Sequence, residues 1–114
     1  MSKRFKLAVS DTVPVTVKAT INDKSGKPVA HKFTLICERR GAEELKDQLQ
    51  GNFNTKEFMK EVTTGWEGQR LVLEQDETPA AFDKDALDEL LNIGGMAMLC
   101  FVAYGKDATA QAKN

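Results

Sequence analysis

The chain has 114 residues, 41% hydrophobic and 29% charged, with a formal net charge of −1. A domain of this length buries one modest core, and the composition excludes a collagen-like, disulfide-scaffold or wholly disordered chain. Near-neutral charge argues against non-specific binding to nucleic acid or to an anionic membrane.

The basic start, Met1-Ser2-Lys3-Arg4-Phe5-Lys6, is followed by no sustained apolar run with a small-residue cleavage site, so no secretory leader is expected. Phe5 to Val9 is expected to add a short strand. Val15, Val17, Ala19 and Ile21 alternate with Thr16, Lys18 and Thr20, which predicts a half-buried strand from Val13 to Ile21. Pro14 donates no ladder hydrogen bond and suits a strand start or an edge. The stretch Asp23-Lys24-Ser25-Gly26-Lys27-Pro28 has turn chemistry. A second strand follows, with Val29, His31, Phe33, Leu35 and Cys37 on one face, and the two make an antiparallel hairpin.

Ala42, Leu45 and Leu49 recur at helical spacing before Gly51-Asn52, a short amphipathic helix. Asn54 is the next N-cap, with Glu57 placed for a capping box and Phe53 placed to staple onto Phe58. That helix carries Met59 and Val62 and is expected to end near Gly65. Arg70 to Glu74 reads as extended, and Asp76 to Pro79 as a turn. Asp83 caps a further helix carrying Leu87, Leu90 and Leu91, with Phe82 stapled to Leu87. It stops at Gly94-Gly95. The last helix is expected from Gly95 or Met96 to about Tyr104, with Gly105-Lys106-Asp107 ending it. The pattern is one α+β domain over residues 1–114: an N-terminal antiparallel hairpin or small sheet, then about four short helices on one face. Residues 106–114 are expected to fray.

The residues give little catalytic chemistry. His31, the only histidine, sits on the apolar phase of a strand and reads as a partly buried, hydrogen-bonded side chain. One histidine and two distant cysteines, Cys37 and Cys100, do not make a tetrahedral zinc site. Both cysteines lie in apolar stretches and read as buried thiols of a reducing cytoplasm. The run Asp83 to Glu89 fails the calcium-loop pattern, because Leu87 takes a ligand position and Asp88 the glycine position. Its carboxylates instead suit the first turn of a helix. No phosphate-cradling, dinucleotide, nucleophile-elbow or metalloprotease motif occurs. No enzyme activity, cofactor or metal is expected. Lys3, Arg4, Lys6, Lys18, Lys24, Lys27 and Lys32 lack interleaved exposed aromatics, so they read as a solvated face that discourages edge aggregation.

Two features fit an interaction protein. The stretch Ile93 to Tyr104 is uncharged and too short, against the ~20 residues a span needs, to cross a bilayer. As a helix it is apolar on nearly every face and must be covered on all sides. It is either a central core helix or a seam for another chain. Trp66, the only tryptophan, is either a core anchor or part of that seam.

The order of motifs resembles the tail assembly chaperones of tailed bacteriophages and prophages. The residues that carry the resemblance are Val62-Thr63-Thr64-Gly65-Trp66-Glu67-Gly68, then Phe82 through Leu91, then the apolar helix reaching Tyr104, preceded by a hairpin leading into Glu38-Arg39-Arg40. It spans Phe5 to Tyr104. The resemblance implies a non-catalytic role: binding the long tape-measure protein in the bacterial host cytoplasm before the tail tube polymerises around it. The tail-tube protein is a further partner. The resemblance carries over no catalytic residue. Helix-in-groove docking of an apolar client makes Trp66, Met96, Met98, Phe101 and Val102 the partner-binding candidates. A tail component retained in the virion and a small regulatory interaction protein are the alternatives.

The net charge conceals a division. Residues 1–40 hold nine Lys/Arg and three Asp/Glu, net +6, and residues 41–114 hold seven and fourteen, net −7. Opposite halves attract within one fold or between copies, so head-to-tail homo-oligomers are expected.

Overall fold

The computed structural model describes residues 4–112. Lys3 of the basic set, with Met1 and Ser2, and the last two residues of the tail, Lys113 and Asn114, lie outside the described residues.

The alternating segments form the expected hairpin. β1 (Thr12–Asn22) and β2 (Pro28–Glu38) pair antiparallel in unbroken register, from Thr12 opposite Glu38 to Asn22 opposite Pro28. The period of two puts Val13, Val15, Val17 and Ala19 on the same face as Phe33, Leu35 and Cys37, and all seven are buried. Asp23 organises the turn. Its carboxylate accepts from Ser25 N, Ser25 Oγ and Lys27 N, and these bonds hold its pKa below the ordinary value. Gly26, at φ +84°, supplies the left-handed residue.

The third strand comes from an unexpected place. Phe5 to Val9 forms no strand: Phe5 and Leu7 are each 79% exposed, and their alternation meets no partner. Instead the helix expected to end near Gly65 stops at Val62. The chain passes straight into β3 (Thr63–Glu67), which pairs antiparallel with β2 to give the sheet order β1-β2-β3.

Helices α1 (Ala42–Leu49), α2 (Thr55–Val62), α3 (Lys84–Leu91) and α4 (Met96–Asp107) follow the order read from the sequence. The protein is an α+β fold, a three-stranded antiparallel sheet with four helices. The N-caps form as predicted: Asn54 Oδ1 accepts from Glu57 N at 3.0 Å, and Asp83 Oδ1 from Ala86 N at 2.7 Å, but the Glu57 side chain makes no return bond to Asn54 N, so the expected capping box is only half formed. Phe53 packs on Phe58 with ring centroids 5.7 Å apart, so that staple forms. Phe82 stands edge-on to Trp66 at 5.4 Å.

Helix α4 lies against β1. Two bonds anchor its C-terminal half to the sheet: Tyr104 donates its hydroxyl to Glu38 O, and Thr16 N donates to the Asp107 carboxylate, both at 2.9 Å. Gly105 does not end this helix, which runs on through Asp107. The expected fraying from residue 106 does not describe Ala108, which is 6% exposed. A single glycine costs ~1 kcal/mol in a helix, less than burying Tyr104 and Ala108 contributes. Beyond it, Gln111 Nε2 donates to Gly105 O at 2.9 Å. Among the described residues, no single helix is long and apolar enough to cross a membrane.

Candidate functional site

The spacing of α4 sorts its apolar residues onto two faces. Met96, Cys100 and Tyr104 recur every four residues and are all within 1% of full burial. Met98, Leu99 and Val102 fall on the opposite side and are 53%, 44% and 63% exposed. The helix that the sequence requires to be covered on all sides is therefore covered on one, and an apolar strip faces solvent.

The partner-binding candidates separate accordingly. Met98 and Val102 form the strip. Leu99 belongs with them and was not singled out from the sequence; its signal was its place beside Met98, three residues before Val102. Met96 is in the core and has no surface to offer. Phe101 is half-buried in an aromatic cluster, 5.1 Å from Phe53 and 5.6 Å edge-on to Phe58, which itself meets Tyr104 at 5.2 Å. Such tilted and edge-on pairs lock the rings of α2 and α4 together. Trp66 is also half-buried and serves a different corner. Its indole N–H donates to Ala80 O at 3.2 Å, on the wall of a shallow groove formed by Trp66–Gln69 and Pro79–Phe82.

Behind Trp66 the chain crosses from β3 to α3 over one buried polar side chain. Gln69 is 3% exposed. Its amide nitrogen donates to Val72 O and Ala80 O at 2.9 and 3.1 Å, and its oxygen accepts from Leu71 N and Val72 N at 3.0 and 2.8 Å. All four hydrogen-bonding positions of the amide are used. This side chain holds the start of Arg70–Glu74, which otherwise pairs only around the isolated bridge between Leu73 and Pro79.

The titratable groups serve packing. Cys37 and Cys100 are free and buried. Burial pushes their pKa values up to about 11 and about 12, which leaves both thiols protonated and unreactive near neutral pH. Asp88 accepts from Lys56 and Lys60, each at 3.1 Å, and those two hydrogen bonds hold its carboxyl below the ordinary value. Lys84 reaches back to the C-terminal end of α2, donating to Lys60 O and Thr63 O, where a cation suits the dipole. His31, on the inner face, is half-buried. Among the described residues no group of three or more His, Cys, Asp or Glu is placed to hold a metal ion.

Compared with protein-family models, curated proteins and solved structures, the chain matches none. The site is therefore read from its own geometry. It is an apolar strip on a helix whose opposite face is fixed in the core, with aromatic rings flanking one side.

Proposed function

We propose that the protein is a phage or prophage tail assembly chaperone, a non-catalytic protein that binds the tape-measure protein in the host cytoplasm during tail morphogenesis, with the tail-tube protein as a further partner. The observation that carries the reading is the exposed strip Met98, Leu99 and Val102. Three neighbouring large apolar side chains on one turn of a well-anchored helix favour a partner's apolar face over water, at ~25 cal/mol per Å² covered. Methionine adapts its shape to more than one client surface. A client presenting an amphipathic helix fits such a strip by helix packing.

The test is co-expression with the tape-measure protein of the same genome. The wild-type chain is expected to keep the client soluble and to co-purify with it. The double variant Met98→Glu with Val102→Glu is expected to fold with an unchanged thermal midpoint, since both side chains are exposed, and to lose the client. Retention of the complex by that folded variant overturns the assignment of the strip. Mass spectrometry of purified virions separates the chaperone from a retained tail component: the chain is expected to be absent.

A further inference from the structure

The parity of the β1–β2 ladder decides which backbone groups face outward. At one end Arg39 N donates to Asp11 O, and at the other Asp23 N donates to Lys27 O, both at 2.9 Å. The register between them is unbroken. Odd-numbered residues of β1 therefore bond to β2, and even-numbered ones turn their N–H and C=O to the free edge. The first half of that edge is partly blocked. Ser10 Oγ donates to Thr12 O, Pro14 has no N–H, and Thr16 N–H is taken by Asp107. In the second half, the N–H groups of Lys18 and Thr20 have no partner among the described residues.

A second open edge lies in the acidic half of the chain. Val72 O accepts from Ala80 N, and Glu74 N donates to Thr78 O, around the bridge between Leu73 and Pro79. That pattern turns the N–H and C=O of Leu73 outward, and the Leu73 side chain is 47% exposed.

The stretches that carry the two edges have opposite charge. Residues 18–32 hold Lys18, Lys24, Lys27 and Lys32 against Asp23, net +3, and residues 73–78 hold Glu74, Asp76 and Glu77 with no Lys or Arg, net −3. Two β1 edges brought together would juxtapose their lysines, so like pairs with like unfavourably. We propose that copies of this chain associate head to tail by strand addition, the β1 edge at Lys18–Asn22 of one copy pairing with the outward edge at Leu73 of the next. Each added copy leaves one edge of each kind unused, so the assembly closes as a ring or continues as a filament. None of these edge residues belongs to the Met98–Val102 strip, and the proposal does not depend on the chaperone reading.

Sedimentation velocity of the purified full chain over a range of concentration and salt tests it. Self-association is expected at low salt, with the association constant falling at least about tenfold as salt rises to ~0.5 M. Thr20→Pro removes an outward N–H and leaves the β1–β2 ladder intact, as Pro14 already does at the same parity. Leu73→Pro does the same at the other edge. Each variant alone is expected to be monomeric, and an equimolar mixture to form a dimer that grows no further, because each retains the edge that the other lacks. If a proline variant fails to fold by circular dichroism, Lys18→Glu and Glu74→Lys, both on exposed side chains, replace the pair, and each alone is expected to lower the association constant about threefold. A chain that is monomeric at every salt concentration overturns the proposal. So does association that is undiminished in either folded variant, or a mixture of the proline variants that remains monomeric.

Discussion

At the scale of single residues, one buried amide carries more structure than its type suggests. Gln69 bonds four backbone groups of a segment that has a single isolated bridge of its own. In Gln69→Leu, the N–H groups of Leu71 and Val72 lose their acceptor inside the fold. Ala80 O keeps the Trp66 indole, and Val72 O keeps Ala80 N, so the two orphaned donors dominate. A cost of about 2–3 kcal/mol follows from the desolvation of unsatisfied donors. Urea unfolding measures it as a lower midpoint at unchanged slope, together with faster hydrogen exchange at Leu71 and Val72. A loss below ~0.5 kcal/mol would show that the segment holds its shape without the amide. Nothing in the sequence marks this role, because a glutamine in a polar stretch looks like surface until the fold closes over it. The same blindness affected Leu99, whose exposure depends on which face of α4 the sheet takes.

Among the elements, legibility followed how far each is decided locally. The hairpin was readable because eleven-residue strands repeat their alternation many times and carry a turn of fixed chemistry. The helix starts were readable because capping at Asn54 and Asp83 is a matter of three neighbouring residues. β3 was not readable. Its five residues include Gly65, follow α2 with no intervening turn, and are a strand only because β2 offers an edge. Phe5 to Val9 has the better alternation and no edge to join. Glycine misled at the end of α4 for a related reason: local propensity stops a helix there, and packing of Tyr104 and Ala108 continues it. Gly95, before α4, and Gly105, inside its last turn, consequently differ in sign. Gly105 has an ordinary φ and nothing within 4 Å of an added Cβ. Gly105→Ala is expected to raise stability by about 0.5–1 kcal/mol. Gly95 sits at φ +83° before the helix, where a side chain is strained. Gly95→Ala is expected to lower stability by about 1 kcal/mol. Chemical denaturation of the two variants checks the pair, and like signs would contradict the backbone argument.

For the whole molecule, the charge division persists after folding. Among the described residues, Arg40 to Glu61 at 3.3 Å is the one ion pair that joins residues 1–40 to the rest. Arg40–Glu38, Lys56–Asp88 and Lys60–Asp88 each lie within one half. Close ion pairing between the two halves is therefore confined to Arg40 among the described residues. The fold is also drawn out, with extents of 56 × 32 × 27 Å and a radius of gyration of 15.9 Å, against ~13 Å for a compact chain of this length. Within the hairpin the segregation is a cost: Lys18 faces Lys32 directly across the ladder, a like-charge pair that disfavours the strands. Screening removes such repulsion inside a copy and also removes the attraction between copies. Salt is thus expected to act on fold and assembly with opposite sign. For the dilute Thr20→Pro monomer, raising salt from ~0.05 to ~0.5 M should raise the thermal midpoint by about 2 °C, the equivalent of a few tenths of a kcal/mol. The same change should dissociate the wild-type assembly seen by sedimentation. A monomer midpoint that falls with salt would mean that attraction between the halves holds the fold together, and the charge division would then be an internal device rather than an interface between copies.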